Sequence, residues 1–509
     1  MRLVPTTQAT RPRYPVTLAW SLAAVAAVLL SLPIAPLRAQ PRVVLSGATL
    51  IDGNGGAPVP RSRIVLENGH FTCVSDAGGC PTMPGDRAID LSGKWISPGL
   101  IDTHVHLPFV LAPKGLWRQQ RLRFALGITT VRDAGSLATD TLLAARKTSE
   151  EGVRAVPRLV VAARVMPEDT ARYGAPMGGP LASKLAELGV DAIKIKEPFI
   201  NDNWRDEIRA ARAAGIPSFG HTWEDSKHVF TREMVAAGIS GVSHIMAVAP
   251  GSQPNGTVLT PPDSAKDFWA WEKRLWLTTD QGKLDSLINE MVAAHVWLEP
   301  TIAFEYHFGR PLVTPIEAAF LGDPPTLRVL LRGVPTTNTV PAPAYPETWK
   351  KQSAFVGEFI RRGGMVVAGA DGKGVGLDLH EEFRLIGEIA GSSMVGLQSA
   401  TKNAAIALNR ADIGTIEVGK LADAVVYFAD PLGPVGSSLR IDRVIKGGML
   451  YSADSLRAEF QSEYAERGRT LWLKRLFFAL KVLVPLGAST AVLIVFMRRR
   501  RMPSRGSIS

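Results

Sequence analysis

The run Trp95-Ile-Ser-Pro-Gly-Leu-Ile-Asp-Thr-His-Val-His-Leu107 reads as a hydrophobic strand that closes on two histidines one residue apart. Side chains two apart on a strand face the same way, so His104 and His106 are expected to project together. Two neutral imidazoles aimed at one point make half of a divalent-metal site. A pair of ordinary histidines at a strand end would look the same. The metal reading gains weight because the chain has only 9 histidines and further ligand-type residues close later apolar strands.

Outward from this run, residues 42–98 are β-rich: Arg42-Val-Val-Leu-Ser-Gly, Arg63-Ile-Val-Leu-Glu-Asn-Gly and Ala88-Ile-Asp-Leu-Ser-Gly-Lys. Asn68-Gly69 carries the hairpin-turn signature. From about 99 to 404, short apolar strands alternate with amphipathic helical stretches. The strand candidates after His106 are Thr129-Thr-Val-Arg-Asp, Arg158-Leu-Val-Val-Ala-Ala, Ala192-Ile-Lys-Ile, Pro217-Ser-Phe-Gly-His, Gly241-Val-Ser-His, Val296-Trp-Leu-Glu-Pro-Thr and Met365-Val-Val-Ala-Gly-Ala-Asp. With the first, they make eight. Such alternation predicts an α/β fold of the (β/α)8 TIM-type barrel class. Strand pattern returns at 421–428 and 441–450, so the chain is expected to rejoin its N-terminal β-region in a small composite β-sandwich built from both chain ends. Residues 250–350, rich in Pro and Trp and less regular, are expected above the barrel mouth, where loops shape a substrate pocket.

The later strands end in groups suited to metal-assisted hydrolysis. Lys194 and Lys196 share one face of Asp191-Ala-Ile-Lys-Ile-Lys196, and a lysine inside an apolar strand is costly unless it has a role. Then come Phe219-Gly-His221, Val242-Ser-His244 and Gly369-Ala-Asp371. Singly, each has an ordinary explanation, such as a core histidine or a turn aspartate. The order His-x-His, Lys, His, His, Asp, each at the C-terminal end of a strand, is improbable by chance.

The net charge of +11 belongs to the chain ends. Arg2, Arg11, Arg13 and Arg38 lie in residues 1–39, and Lys474, Arg475, Lys481, Arg498, Arg499, Arg500, Arg501 and Arg505 in residues 471–509, with no acids in either stretch. Setting those twelve aside from the 58 Lys and Arg leaves 46 against 47 acidic residues, which argues against a nucleic-acid partner. Thr17–Leu32 is an apolar run with the layout of a signal peptide or an uncleaved N-terminal anchor. Leu476–Met497, followed at once by four arginines, predicts a C-terminal transmembrane helix with Arg498–Arg501 on the cytoplasmic side and the body outside it. Cys73 and Cys80, the only cysteines, flank a turn; in an exported protein they can pair, or remain two free thiols. The expected division is 1–39 signal or anchor, 40–98 first part of the sandwich, 99–404 barrel, 405–455 second part of the sandwich, 456–475 linker helix, 476–497 transmembrane helix and 498–509 basic tail.

The chain resembles the amidohydrolase superfamily, and within it the imidazolonepropionase-like proteins and the Xaa-Pro or Xaa-Arg dipeptidases. The resemblance spans about residues 43–435. It rests on Ser97-Pro-Gly-Leu-Ile-Asp-Thr-His-Val-His106, Gly127-Ile-Thr-Thr-Val-Arg-Asp133, Asp191-Ala-Ile-Lys194, His380-Glu-Glu-Phe383, Ala400-Thr-Lys-Asn-Ala-Ala and Ile413-Gly-Thr-Ile-Glu-Val-Gly-Lys-Leu-Ala-Asp-Ala-Val-Val426. It implies metal ligands at His104, His106, His221, His244 and Asp371, and a carboxylated Lys194 bridging two divalent cations, zinc best suiting such a shell. Lys196 is the alternative to Lys194, whose Asp-x-Ile-Lys context matches the family. It further implies that paired cations lower the pKa of the water between them, and that Asp371 carries its proton to the leaving amine. Trp223-Glu-Asp225 and the 250–350 loops depart from the family pattern and leave the substrate open.

The expectation is therefore a membrane-anchored, extracytoplasmic, binuclear hydrolase of an amide bond in a dipeptide, an N-acyl amino acid or a similar small molecule, able to form a homo-oligomer. The alternatives are a mononuclear cyclic-amide hydrolase or deaminase, disfavoured by Lys194, and a scaffold without catalysis, disfavoured by the full ligand set.

Overall fold

The computed structural model describes residues 42–76, 78–107, 113–136, 139–150, 155–196, 203–221, 230–260, 262, 265–307, 345–371, 376–434, 436–459 and 462. The segments at 1–39, 476–497 and 498–509 read as signal or anchor, membrane span and basic tail lie outside these residues. Among the described residues, no helix is long and apolar enough to cross a membrane.

Strands β1 (Val43–Ser46), β2 (Thr49–Leu50), β3 (Arg63–Glu67), β4 (His70–Ser75), β5 (Arg87–Asp90) and β6 (Trp95–Pro98) precede the barrel. Strands β7 (Leu100–Val105), β8 (Ile128–Ala134), β9 (Arg158–Arg164), β10 (Ala192–Lys196), β11 (Ser218–His221), β12 (Gly241–Ser243) and β13 (Trp297–Glu299) form it. Strands β14 (Ala424–Tyr427), β15 (Ile441–Lys446) and β16 (Met449–Ser452) follow.

The barrel strands pair in sequence order as one seven-stranded parallel sheet. The eighth expected strand is not formed as a strand; a closing segment stands in its place, with Val366 making an isolated parallel bridge to Leu298. On its other side the Thr103 N–H donates to the Ala368 carbonyl, and the Asp371 N–H to the His104 carbonyl at 2.8 Å. Strands buried on both faces suit such a sheet; β7 and β8 are buried throughout. Arg132, wholly buried, fills the interior with its guanidinium carbon 3.5 Å from the centre of the Phe219 ring. The Ala400-Thr-Lys-Asn motif braces the closure: the Ala400 carbonyl accepts from Ile101 N–H at 2.7 Å, and the Asn403 amide donates to the Val366 carbonyl at 3.0 Å.

The sandwich packs a four-stranded sheet, β4-β3-β1-β5, on a five-stranded one, β16-β15-β14-β6-β2, which joins the two ends of the chain. Leu45, Ile64 and Phe71 of the first face Ile96, Val426 and Ile445 of the second across one apolar core. The Asn68-Gly69 turn joins β3 to β4 with both residues at positive φ, 50° and 83°, as the hairpin signature requires. Cys73 and Cys80 are joined by a disulfide, with Cα atoms 5.9 Å apart. Sandwich and barrel are tied by Arg158 and Asp423, 3.0 Å apart, and by Lys446, whose ammonium donates to the Ser149 and Val156 carbonyls at 2.7 Å each.

One expectation needs correction. Residues 250–350 are not irregular throughout: Ala265–Leu277 and Gln281–Ala293 are helices of 13 residues each. The Trp and Phe residues that masked the period are helix-compatible, and Asp280 caps the second helix by accepting from Lys283 N–H at 2.9 Å. Residues 453–459 are helical, and most of the segment expected as a linker helix at 456–475 lies outside the described residues.

Candidate metal centre

His104 lies at the C-terminal end of β7, wholly buried. The pairing register with β8 shifts between Asp102 and Val105, so the strand is bulged where its ligands sit. His106 falls one residue beyond the strand and is half-exposed, at 45% of its side chain. The simple picture of two equivalent strand histidines therefore does not hold. Their rings nevertheless meet edge to face, with centres 5.3 Å apart.

His221 closes β11 and His244 follows β12, both buried. The His244 ring centre is 4.8 Å from that of His104 and 4.8 Å from that of His221. Asp371 faces three of the four: its carboxylate oxygens lie 3.9 Å from His104 Nε2, 3.5 Å from His106 Nε2 and 3.7 Å from His244 Nε2. Ligand atoms of His104, His244 and Asp371 all fall within 4.8 Å of one another. Lys194, on the neighbouring strand β10, is buried with its amine 4.8 Å from the centre of the Phe219 ring. The side chain of Lys196 lies outside the described residues.

Strained backbone collects here. His244 (φ 66°), Thr301 (φ 47°) and Asp371 (φ 44°) all adopt positive φ without being glycine. Such conformations cost of order 1–3 kcal/mol each and persist where the surrounding structure imposes them. Thr301 earns its place by holding His244 Nδ1 through its hydroxyl at 2.9 Å.

Burial sets the protonation states. It holds the His104 imidazole well below its ordinary pKa, helped by the positive charge of Lys194, so the ring is neutral and able to act as a ligand. Burial also brings the Lys194 amine down to about 7, against the opposing pull of Glu299. Asp102, buried beneath, is pushed up to about 7 by desolvation.

The donor set fits a divalent cation on its own chemistry. Imidazoles and a carboxylate converge, and two buried polar atoms among them, His104 Nε2 and Lys194 Nζ, have no hydrogen-bond partner among the described residues. Native interiors rarely leave such atoms unmatched except where another group completes them.

The chain matches the amidohydrolase family over residues 95–450. It belongs to that family. An imidazolonepropionase from Pseudomonas entomophila (strain L48) is 29% identical over 170 residues, covering 33% of this chain and 36% of that protein. One from Klebsiella pneumoniae (strain 342) is 36% identical over 155 residues, covering 30% and 32%. The chain thus spans about a third of the length of these curated relatives. The crystal structure of a Xaa-Pro dipeptidase with bound methionine in the active site aligns with a TM-score of 0.56 at 18% identity, over 81% of this chain and 100% of the other. At that identity the likeness speaks for the fold. The family is generally metal-dependent, in keeping with the His, His and Asp grouped here.

Among the polar residues at the site that are absent from the sequence-based set are Glu299, Arg132 and Thr301. Glu299 was legible. It closes the apolar run Val296-Trp-Leu just as His221 closes Pro217-Ser-Phe-Gly. Arg132 stands inside an apolar strand, the same anomaly that singled out Lys194. Thr301 carried no signal, since its part depends on a backbone conformation.

Proposed function

We propose that this chain is a binuclear metal-dependent hydrolase of amide bonds in small substrates, with dipeptides and N-acyl amino acids as the leading class. The observation that carries the reading is the grouping of His104, His244 and Asp371 at the end of the parallel barrel where the strands' C-terminal ends lie, with His106 and His221 in ring contact with that group and Lys194 buried on β10. His104, His106, His221, His244 and Asp371 would hold the cations, zinc being the best match to imidazole and carboxylate. Lys194 would join them as a carbamate. An amine titrating near 7 is substantially neutral at ordinary pH, and its nitrogen can bond to CO2 with loss of one proton.

Divalent cations bound there would supply Lewis acidity to water and to the scissile carbonyl. Asp371, with a quarter of its side chain exposed, is the group placed to take a proton from the attacking water and return it to the leaving amine. Glu299 and Thr301 orient the imidazoles of His104 and His244.

The imidazolonepropionase relatives support a second reading, a cyclic-amide hydrolase with a mononuclear site. The buried lysine on β10 favours the first. The extracytoplasmic, membrane-anchored placement is likewise proposed, supported by the apolar runs at 17–32 and 476–497, the arginines at 498–501 and the Cys73–Cys80 disulfide.

The test is a screen of the zinc-loaded full-length chain against dipeptides, N-acyl amino acids and cyclic amides. Turnover of a linear amide that a chelator abolishes is expected. Turnover confined to cyclic amides, with one metal per chain, would replace this reading with the second.

A further inference from the structure

Glu299 is a carboxylate with four side-chain partners, and no ligand role accounts for it. Its side chain is wholly buried. One oxygen accepts from the Thr103 hydroxyl and, at 2.6 Å, from the Arg132 guanidinium. The other accepts from the Ser243 hydroxyl at 2.8 Å and meets His104 Nδ1 at 2.6 Å. Its backbone carbonyl accepts from the His244 N–H at 2.7 Å. A single residue therefore reaches β7, β8 and β12, and touches two of the ligand-bearing segments.

The closing segment is shaped around this contact. A Cβ on Gly369 would lie 2.7 Å from the His104 Cβ and 2.9 Å from the Glu299 Cδ, so a larger residue there would push the pair apart. Glycine is what lets the segment pass.

We infer that Glu299 is a positioning residue that fixes the tautomer of His104. A carboxylate can only accept, and its sites are taken up by four donors. Nδ1 of His104 must then carry the proton, which leaves the Nε2 lone pair facing Asp371 and His244. Arg132 balances the buried charge. Replacing the carboxylate by an amide turns one acceptor into a donor, and a donor facing Nδ1 selects the opposite tautomer, whose Nε2–H cannot bind a cation. The inference rests on the metal-centre reading above, because a fixed Nε2 lone pair matters only if something is bound there.

The test uses the purified full-length chain, metal-free, with 15N-labelled histidine. The His104 signals are assigned by their loss in His104→Gln. The expected wild-type result is a single tautomer protonated at Nδ1. Zinc affinity, measured by competition with a chelating dye, is expected to fall roughly 10–100-fold in Glu299→Gln, the usual effect of removing such a partner. It should stay within a few-fold of wild type in Ser243→Ala, which removes one donor but keeps the Glu299–His104 bond. The wild-type spectrum decides the matter even if Glu299→Gln fails to fold. Zinc binding by a wild type protonated at Nε2, or by Glu299→Gln at wild-type affinity, overturns the role of Glu299 and leaves the metal centre standing. A wild type with the Nδ1–H tautomer that binds no zinc overturns the metal centre instead.

Discussion

The barrel mouth and the barrel–sandwich joint each bury a lysine and a histidine, and treat them in opposite ways. At the joint, Lys446 gives its ammonium to two backbone carbonyls. His380 bonds through both ring nitrogens, to the Leu126 carbonyl and the Ser438 hydroxyl, each at 2.9 Å. At the mouth, Lys194 Nζ and His104 Nε2 are as deeply buried and have no hydrogen-bond partner among the described residues. Burial of an unmatched polar group costs about 1–3 kcal/mol. The joint avoids that cost, and the mouth carries it. A structural polar group is satisfied by the fold, whereas a ligand is satisfied by what it binds.

The sharpest way to break this contrast is to exchange the lysines' fates. Lys194→Ala should lose most turnover and bound metal, with partial rescue by short carboxylic acids or bicarbonate acting in place of the carbamate. Lys194→Met should bring the same losses while leaving the metal-free melting temperature unchanged or higher, since an unmatched buried amine is removed. Calorimetry of the metal-free variant checks this, and a clear fall in Tm would mean that Lys194 supports the fold. If Lys194→Ala stays active while Lys196→Ala does not, the bridging position belongs to Lys196.

Next in size is Asp371→Asn, which keeps an oxygen for a cation but removes the proton carrier. Turnover should fall by roughly 10²–10⁴-fold with metal content largely kept. Near-normal kcat in a metal-loaded variant would assign the proton to another group.

Lys446→Met should leave kcat unchanged and cost about 1–3 kcal/mol of stability, because the Ser149 and Val156 carbonyls lose their donor. Denaturant unfolding measures it, and a variant as stable as wild type would remove Lys446 from the joint.

The smallest effect concerns pH. Burial brings His380 down to about 4, below the ordinary 6.5, so the native state keeps it neutral while the unfolded chain binds the proton. Stability is then complete above pH 6.5 and is lost as pH falls toward 4, by about 1 kcal/mol at pH 5.5 from this group alone. His380→Gln should flatten that part of the Tm–pH curve. A slope unchanged between pH 7 and 5.5 would show that other groups set it.

Much of this contrast can be read in the sequence, but unequally. The barrel strands and the return to the sandwich follow from apolar runs bounded by turn residues, because burial on both faces demands such runs. The ligand types at strand ends are visible for a related reason, since a polar residue closing an apolar strand is anomalous. The bulge between Asp102 and Val105 is not visible, nor is the positive φ of His244, Thr301 and Asp371. Those conformations are imposed by contacts between segments far apart in sequence, such as the Asp371 N–H with the His104 carbonyl. The period of Ala265–Leu277 was hidden by aromatic residues spread around the helix. The roles of His380 and Lys446 are likewise tertiary, since their partners lie 58 or more residues away.

The central claim is that the convergent side chains hold metal, and metal stoichiometry tests it most directly. The full-length chain is loaded with zinc, freed of loosely bound ion by dialysis and assayed by elemental analysis beside His104→Ala and Lys446→Met. Two zinc ions per chain are expected in wild type and Lys446→Met, with a clear loss in His104→Ala. A wild type without stoichiometric metal, or a His104→Ala chain that holds as much as wild type, would contradict the account.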